Sequence, residues 1–389
     1  MRIRLSVHRV RRDAFTLVEI LVVIAIIGIL VSLSLPAISA AKERMNRAKC
    51  ADQLRQIAMA TINHQTSHDT LPGYVQQFGE FAGGMDPADP GSYGGNVPRH
   101  MKIGGWQVAI LAKMDRQPLY DRWSLDRYPL LSDGAGERPA TEEGYSTIAA
   151  SNVEFYQCPS ASGTMARHGI NHYIANTGMH VDSFPFTYTR PSDGTHTVNF
   201  ERSISKANGA FTNRYAGFDP GNPTSLVPTG KRIRTDDFRD GATGTMLYSE
   251  NHQAQPWHLT RLTGNTDHLT AISTVGGKEV TVYPVESRYL QGSVWHFEDE
   301  QLFAGAPAPQ PLHKINGGDT YNLTMTASNM ADVARPSSLH TGGVNMAMAD
   351  GSVRFVFESI DYRTYQALMT PSGHASDVPM NEYIPSDEI

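Results

Sequence analysis

The sequence predicts an α+β protein in which a long N-terminal helix packs on a large, loop-rich antiparallel β head. Residues 15–35 form a largely apolar run, and helical periodicity continues from there to about residue 66. Beyond residue 70 the periodicity fades, and many of the chain's 34 glycines and 23 prolines separate short segments. Near the C-terminus, Asp350 and Gly351 separate two apolar-containing runs, 344–349 and 352–356, as in a β-hairpin. A short helix over 361–369 should follow this hairpin.

Composition excludes several classes of protein. Of the 389 residues, 40% are hydrophobic and 19% are charged, which is too apolar for an intrinsically disordered chain. Two cysteines cannot build a multi-disulfide scaffold or a four-thiolate zinc site. The net charge is −6, and residues 1–14 hold five arginines against one acid. The remaining residues therefore carry −10, so no nucleic-acid partner is expected.

The basic start and the apolar run predict an export or membrane signal. As a helix, the run would extend about 31 Å, close to the thickness of the bilayer core. The positive-inside rule leaves residues 1–14 in the cytoplasm and carries the body across. Three interpretations compete. The first is a plain signal anchor, and the second is a secretory signal peptide cut near residues 37–39. In the third, Glu19 has a function, because a carboxylate within a membrane is costly without a partner.

A cut between Ala14 and Phe15 would supply that partner, since it creates an α-amino group four residues from Glu19. Residues 12–19, Arg-Asp-Ala-Phe-Thr-Leu-Val-Glu, resemble the signal of type IV prepilins and type II secretion pseudopilins. Pro36 stands where pilin helices often carry a kinking proline. The chain departs from the family pattern at Ala14, where Gly is usual.

This resemblance implies a maturation pathway and a location. A prepilin peptidase would remove the leader, residues 1–14, and methylate Phe15. Residues 15–36 would form the transmembrane and assembly helix, in which Glu19 meets the amine of a neighbouring pilin-like subunit. The protein would cross the inner membrane once, with its body in the periplasm or at the cell surface.

Residues 37–69 are expected to continue as an amphipathic helix. Its apolar residues recur at steps of three and four, which gives one stripe able to pack on a globular head. A stop follows at residues 69–73, Asp-Thr-Leu-Pro-Gly. Two separate helices joined at Pro36 remain the alternative.

A second resemblance rests on several separate segments, most of them in the body, residues 70–389. His340, nine further residues and Asp350-Gly351 resemble the H-X9-DG element of the pilin-like DUF1559 family. Four other segments resemble the same family, namely 50–57, 106–120, 158–160 and 240–250. Segments 183–230 and 253–335 match nothing in it and are expected to be insertions. The family implies a pilin-like envelope protein and assigns no reaction.

The two cysteines, Cys50 and Cys158, would both lie on the non-cytoplasmic side. An oxidising compartment favours a disulfide between them, which would close a loop of about 108 residues. Two separate thiols are the alternative.

Histidine pairs offer a first hypothesis for metal binding. His64 with His68, and His168 with His172, have the four-residue spacing that can supply two zinc ligands. Solvated surface histidines are the alternative.

Two further metal hypotheses concern carboxylates. His340 and Asp350 could meet across the hairpin, with a hydrogen-bonded turn histidine as the alternative. Pseudopilin heads, which this chain resembles, often bind calcium, and residues 236–241 offer carboxylate ligands for it. No complete metal site is evident, so calcium is only a candidate cofactor.

No catalytic motif stands out, and the chain is not expected to be an enzyme. It has no nucleophile elbow and no phosphate-binding loop. The acidic run 298–300 beside Trp295 suggests a glycosidase pair, although such runs are usually solvated. The aromatic residues that could stack on sugars, or else fill the core, are Tyr188, Tyr215, Trp257 and Trp295.

Two function classes follow. The leading one is a structural subunit of a type IV pilus or type II secretion-type filament. The alternative is a membrane-tethered binding domain for a glycan or polymer that uses a pilin-like export signal.

Overall fold

The computed structural model describes residues 17–161, 168–180, 186–190, 194–198, 203, 205–262, 266–298, 309–320 and 323–379. The chain divides into two compact units, one ending at Asn46 and the other beginning at Arg47. Helix α1 (Leu17–His68) contributes to both. Ala14 and Phe15 lie outside the described residues. We call the unit from Arg47 onward the head.

The first unit contains the N-terminal part of α1, whose residues are almost all exposed. An 18-residue window of this helix has a mean hydropathy of 2.8, and none of that window is buried. The helix is long and apolar enough to cross a membrane. The hydroxyls of Ser32, Ser34 and Ser39 donate to backbone carbonyls one turn back, at 2.7–3.0 Å. These three hydroxyls are thus satisfied within the helix, as a bilayer requires. The helix continues through Pro36 without a break, so the alternative of two separate helices is wrong.

The C-terminal part of α1 supplies a buried stripe to the head. Its members recur at three- and four-residue steps, as the amphipathic pattern predicts, and they are Cys50, Gln53, Leu54, Ile57, Ala58, Ala60, Thr61 and His64. Thr61 Oγ1 lies 2.6 Å from Tyr248 Oη, and Tyr173 Oη donates to Gln53 Oε1 at 2.8 Å. The sequence pattern predicts a head that starts at residue 70, but the core of the head also includes this preceding part of α1.

The strands of the head form one central sheet and several two-stranded ladders. In chain order, the strands are β1 (Gln76–Phe81), β2 (His100–Gly104), β3 (Tyr173–Met179), β4 (Phe186–Arg190), β5 (Gly194–Val198), β6 (Phe218–Asp219), β7 (Asn222–Leu226), β8 (Met246–Glu250), β9 (Ser273–Val275), β10 (Lys278–Val280), β11 (Gly292–Trp295), β12 (Gly343–Met348) and β13 (Val353–Phe357). The ladders pair β1 with β2, β4 with β5, β6 with β7 and β9 with β10.

Short helices connect these strands. They are α2 (Trp106–Ile110), α3 (Gln117–Ser124), α4 (Asp267–Thr270), α5 (Ser287–Leu290), α6 (Met330–Val333) and α7 (Tyr362–Met369). The Asp361 side chain caps α7 by accepting from the Arg363 backbone N–H at 2.8 Å. The predicted helix over 361–369 is thus confirmed.

The central sheet has the order β11-β3-β8-β12-β13 and is covered on both faces. Along β12, Val344, Met346 and Met348 pack in an apolar cluster with α7. Ala347, on the opposite face, packs in the cluster that contains the α1 stripe. This alternation is the period-two pattern of a strand, and it places the sheet between α1 and α7.

The C-terminal hairpin is confirmed. β12 and β13 pair antiparallel, from Gly343 opposite Phe357 to Ala347 opposite Val353. The turn between them uses Gly351, whose φ of +84° lies in the left-handed region that favours glycine.

Several local expectations need correction. The head is not purely antiparallel, because β11 pairs with β3 in parallel. The edge strand β11 comes from segment 253–335. The weak alternation of residues 153–156 suggests a strand, but Glu154–Tyr156 forms a 3₁₀ helix. The composition of residues 79–98 indicates a loop, but residues 79–81 belong to strand β1.

Candidate functional site

Two clusters of histidine with cysteine or carboxylate side chains lie among the described residues of the head. The first joins the chain's two cysteines. Cys50 on α1 and Cys158 form a disulfide with 5.3 Å between their Cα atoms, across 108 residues. Both residues are buried, at 0% and 4% exposure, so the bond pins α1 inside the core.

A buried histidine and carboxylate lie beside this disulfide. His340 Nε2 is 3.6 Å from Cys158 Sγ and 3.2 Å from Glu250 Oε1. Glu250, the last residue of β8, also accepts from the backbone N–H and side-chain amide of Asn345 at 2.8 and 2.9 Å. The carboxylate thereby joins β8 to β12 and holds the imidazole. We call Cys50, Cys158, Glu250 and His340 the disulfide cluster.

The disulfide cluster draws one residue from each of four segments that carry the family resemblance. They are residues 50–57, 158–160 and 240–250, together with the H-X9-DG element. No local spacing relates Glu250 to His340, so their contact could not be predicted from the sequence. The expected contact of His340 with Asp350 is wrong, since the six residues of β12 lie between them. Asp350 instead accepts from the Ser352 N–H and hydroxyl at 2.8 and 2.6 Å.

A pocket of about 560 Å³ opens beside His340. Asn316 and Glu358 contribute to its wall and are joined by a 2.7 Å hydrogen bond. Its lining combines Lys314 and Ser338 with apolar residues. This mixture can hold a small molecule that has both polar and apolar groups.

The second cluster is built around two stacked imidazoles. The rings of His296, just after β11, and His313 have centroids 3.5 Å apart and are inclined by 4°. His313 Nδ1 lies 2.9 Å from Glu298 Oε1, and its Nε2 lies 3.2 Å from Asp332 Oδ1 on α6. We call His296, Glu298, His313 and Asp332 the histidine cluster.

The two imidazoles have opposite electrostatic environments. Burial, followed by the charges of His313 and His180, holds the pKa of His296 well below its usual value. Burial also lowers the pKa of His313, but its hydrogen bonds with Asp332 and Glu298 outweigh this and leave the pKa raised. The same hydrogen bond lowers the pKa of Asp332. A neutral ring therefore stacks on a ring that two carboxylates favour in its charged form.

Neither histidine pair named from sequence spacing gathers a third ligand among the described residues. His64 and His68 stack with centroids 4.0 Å apart, and burial lowers the pKa of His64 to about 4. His172 is buried, and its Nδ1 accepts from the Cys158 N–H at 3.0 Å, whereas His168 is exposed.

The aspartates considered for calcium bind protein groups instead. Asp237 pairs with Lys206 at 2.8 Å, and Asp236 with Arg234 at 3.1 Å. Asp240 accepts from the Gly373 N–H.

The aromatic residues considered for sugar stacking are largely core. Tyr215, Trp257 and Trp295 are buried, so an exposed platform that includes them is wrong. The Tyr188 side chain lies outside the described residues. Of the acidic run, only Glu298 is described, and it belongs to the histidine cluster.

Comparison with protein-family models identifies the family of this chain. The family model described as a protein of unknown function, DUF1559, matches residues 39–363. The chain belongs to the DUF1559 family. The prokaryotic N-terminal methylation motif matches residues 9–35, which include Ala14, Phe15 and Glu19. No curated protein and no solved structure matches the chain.

Within this DUF1559 protein, Glu19 and Pro36 both lie on exposed parts of α1. Glu19 occupies the first turn of the described helix, where a carboxylate interacts favourably with the helix dipole. The methylation motif thus ends within the apolar part of α1 and does not reach the head.

Proposed function

We propose that this DUF1559 protein is a pilin-like structural subunit of a type IV pilus or type II secretion-type filament. A prepilin peptidase would cut it between Ala14 and Phe15 and methylate the new amine. The observation that supports this is an N-terminal methylation motif on a helix whose apolar residues are exposed. So large an apolar surface needs lipid or other helices around it. The proposal assigns no reaction to the chain.

Glu19 gives the assembly step its specificity in this proposal. It is the only ionisable side chain of residues 15–35, so its burial between helices calls for an opposite charge. The amine of Phe15 on a neighbouring subunit would supply that charge. A buried ion pair adds little net stability, but a mismatched carboxylate is penalised, and this penalty sets the axial register of the helices.

The proposal also fixes a location. Residues 1–14 would stay in the cytoplasm until cleavage, and the head would lie in the periplasm or at the cell surface. The Cys50–Cys158 disulfide supports an oxidising compartment for the head.

The test is the mass and N-terminal residue of the protein co-expressed with a prepilin peptidase. The expected product begins at methylated Phe15. A product that still begins at Met1, or one that begins near Ala40, would overturn the proposal. Ala14→Gly restores the residue usual in prepilins and should be processed at least as completely. Ala14→Asp, which puts a charge at the cut, should remain intact.

A second candidate function is a membrane-tethered binding protein, which the pocket beside His340 favours. Its ligand would be a glycan or polymer end-group of mixed polarity. The test is binding of glycans to the detergent-solubilised full-length protein, compared with Leu339→Trp, which fills the pocket. Equal binding by both proteins would contradict a role for the pocket. A fragment starting at residue 70 is unsuitable, because it lacks the α1 stripe that completes the head core.

A further inference from the structure

We propose that His296, His313 and Asp332 bind one divalent first-row transition-metal ion such as zinc. These residues come from three separate places in the head. His296 follows β11, His313 ends the 3₁₀ helix Pro311–His313, and Asp332 lies on α6. One ligand atom of each lies within 4.8 Å of the other two. The site is independent of the proposed filament role.

One pair of these atoms already has the spacing of two ligands on one ion. His313 Nε2 and Asp332 Oδ1 are 3.2 Å apart. Two ligands about 2.1 Å from a metal, at tetrahedral or octahedral angles, are roughly 3.0–3.4 Å apart. An ion could thus replace the hydrogen bond between them with little movement of either side chain.

Glu298 orients His313 for this role. Its Oε1 lies 2.9 Å from His313 Nδ1, and its Oε2 accepts from the Gln310 backbone N–H at 3.0 Å. A proton held at Nδ1 and donated to Glu298 leaves the lone pair of Nε2 directed toward Asp332. A carboxylate behind a histidine is the usual outer partner of a metal-binding imidazole. Glu298 is therefore a positioning residue in this site.

His296 supplies the second imidazole. Among the described residues, its Nε2 makes one long hydrogen-bond contact, of 3.4 Å, with the carbonyl of Ala331, and this contact must be given up if Nε2 binds the ion. A salt bridge between His313 and the two carboxylates would not require a second imidazole stacked on it. Lone pairs lie in the ring planes, and these planes are nearly parallel, so the two rings must tilt well apart before both lone pairs converge on one ion.

The ligand set and its exposure define the class of ion. Two imidazoles and one carboxylate suit zinc and its first-row neighbours, whereas calcium and magnesium prefer oxygen ligands. The Asp332 side chain is 37% exposed and that of His313 is 11% exposed, so an ion has a route from solvent. Three protein ligands leave a coordination position for water.

The test uses full-length protein in detergent, purified with a tag that lacks histidine and stripped with a chelator. Titration with Co²⁺, followed by visible absorbance, and competition with Zn²⁺ should show one ion per chain. His313→Gln and Asp332→Asn should each weaken binding at least tenfold. Glu298→Gln keeps all three ligands and should weaken binding about 10- to 100-fold.

The matched control is His68→Gln, which removes an exposed histidine from the other stacked pair and should bind as the parent does. Zinc should also raise the melting temperature of the parent and the control but not that of Asp332→Asn. Because Asp332 is partly exposed, Asp332→Asn should still fold, and its binding decides the test if His313→Gln fails to fold. Absence of one-to-one binding, or binding that Asp332→Asn leaves unchanged, overturns the proposal. Loss of binding in His68→Gln would do the same, because the ion would then lie at the other pair.

Discussion

Gly351, at the turn of the C-terminal hairpin, lies directly against Met59 of helix α1. A Cβ atom built on Gly351 would approach Met59 Sδ to 2.9 Å and Ile62 Cδ1 to 3.7 Å. The glycine of the H-X9-DG element thus allows both the tight turn and the close packing of that turn on the helix.

Substitution of Gly351 should separate these two effects. Gly342 has a nearly identical φ, +85° against +84°, but nothing lies within 4 Å of its added Cβ. Gly342→Ala should lower the free energy of unfolding by about 1–2 kcal/mol through backbone strain alone. Gly351→Ala should cost up to about 1 kcal/mol more, measured by urea unfolding. In a Met59→Ala background this excess should disappear. Equal losses of unfolding free energy for Gly351→Ala and Gly342→Ala in the parent background would show that packing against Met59 does not affect stability.

Removal of the disulfide should destabilise the head substantially. Cys50→Ala with Cys158→Ala opens a loop of 108 residues, for which the chain-entropy model gives about 4–5 kcal/mol as an upper value. Denaturant unfolding of this variant should match that of the parent protein under reducing agent. A count of free thiols would first confirm that the reducing agent has opened the disulfide of the parent protein. An unchanged free energy of unfolding after that reduction would contradict this expectation.

The buried ion pair of Arg122 with Asp86 should be sensitive to loss of one partner. Their side chains are 3% and 1% exposed, and Arg122 Nη1 donates to Asp86 Oδ1 at 2.9 Å. Arg122→Met leaves a buried carboxylate without its cation and should cost about 3–5 kcal/mol. Arg122→Met with Asp86→Leu should cost clearly less than the single variant.

The control for that experiment is Arg99, which pairs with Glu80 and Glu279 but is 41% exposed. Arg99→Met should lower the free energy of unfolding far less than Arg122→Met does, because solvent screens exposed pairs. Similar losses of unfolding free energy in Arg99→Met and Arg122→Met would mean that burial does not determine how much an ion pair contributes to stability.

His100 should make stability depend on pH. Burial, with the nearby charges of Lys102 and Arg122, lowers its pKa to about 4, and its Nε2 accepts from the Leu130 N–H at 2.9 Å. The unfolded chain, with a histidine pKa near 6.5, binds the proton more readily. The stabilisation is therefore complete above pH 6.5 and is lost as pH falls toward 4, by about 3 kcal/mol.

Unfolding of His100→Gln from pH 7 to pH 4 would check this, since its stability should fall less steeply than that of the parent. His374→Gln, at an exposed position, should keep the parent slope. Parallel slopes for all three proteins would remove His100 as a source of the pH dependence.

Glu19 should matter for assembly and not for membrane insertion. Glu19→Gln keeps the size of the side chain but removes the charge that the proposed amine partner needs. The variant should be found in the membrane fraction yet be absent from sheared filaments, whereas Glu19→Asp should retain part of the assembly. Incorporation of Glu19→Gln at the parent level would refute the pairing.

The elements that the sequence predicts well are those set by local chemistry. The Asp350-Gly351 pair indicates its own turn, and the three- and four-residue spacing along α1 indicates its buried stripe. The pairing of β11 with β3 joins residues more than 110 positions apart, and no local pattern encodes such a contact. The same holds for Glu250 with His340.

The histidine cluster escaped sequence reasoning for a related reason. Its ligands follow no known metal-binding spacing, and His313 lies in a Gly- and Pro-rich segment that reads as a loop. The usable signal was the position of His296 at the carboxyl end of a buried strand, next to an acidic run. That run was interpreted as a solvated face, yet Glu298 is buried.

The position of Cys50 has a mechanical consequence. It is the first buried residue of α1, ahead of every other residue of the buried stripe. A pulling force applied to the helix from its membrane side therefore reaches a covalent bond before it reaches any non-covalent contact of the stripe. The contacts of Arg47 with Phe355 and of Lys49 with Glu154 precede Cys50 and would open first. Beyond them the helix cannot be peeled from the head while the disulfide is intact, whereas under reducing conditions the buried stripe would separate from Cys50 onward.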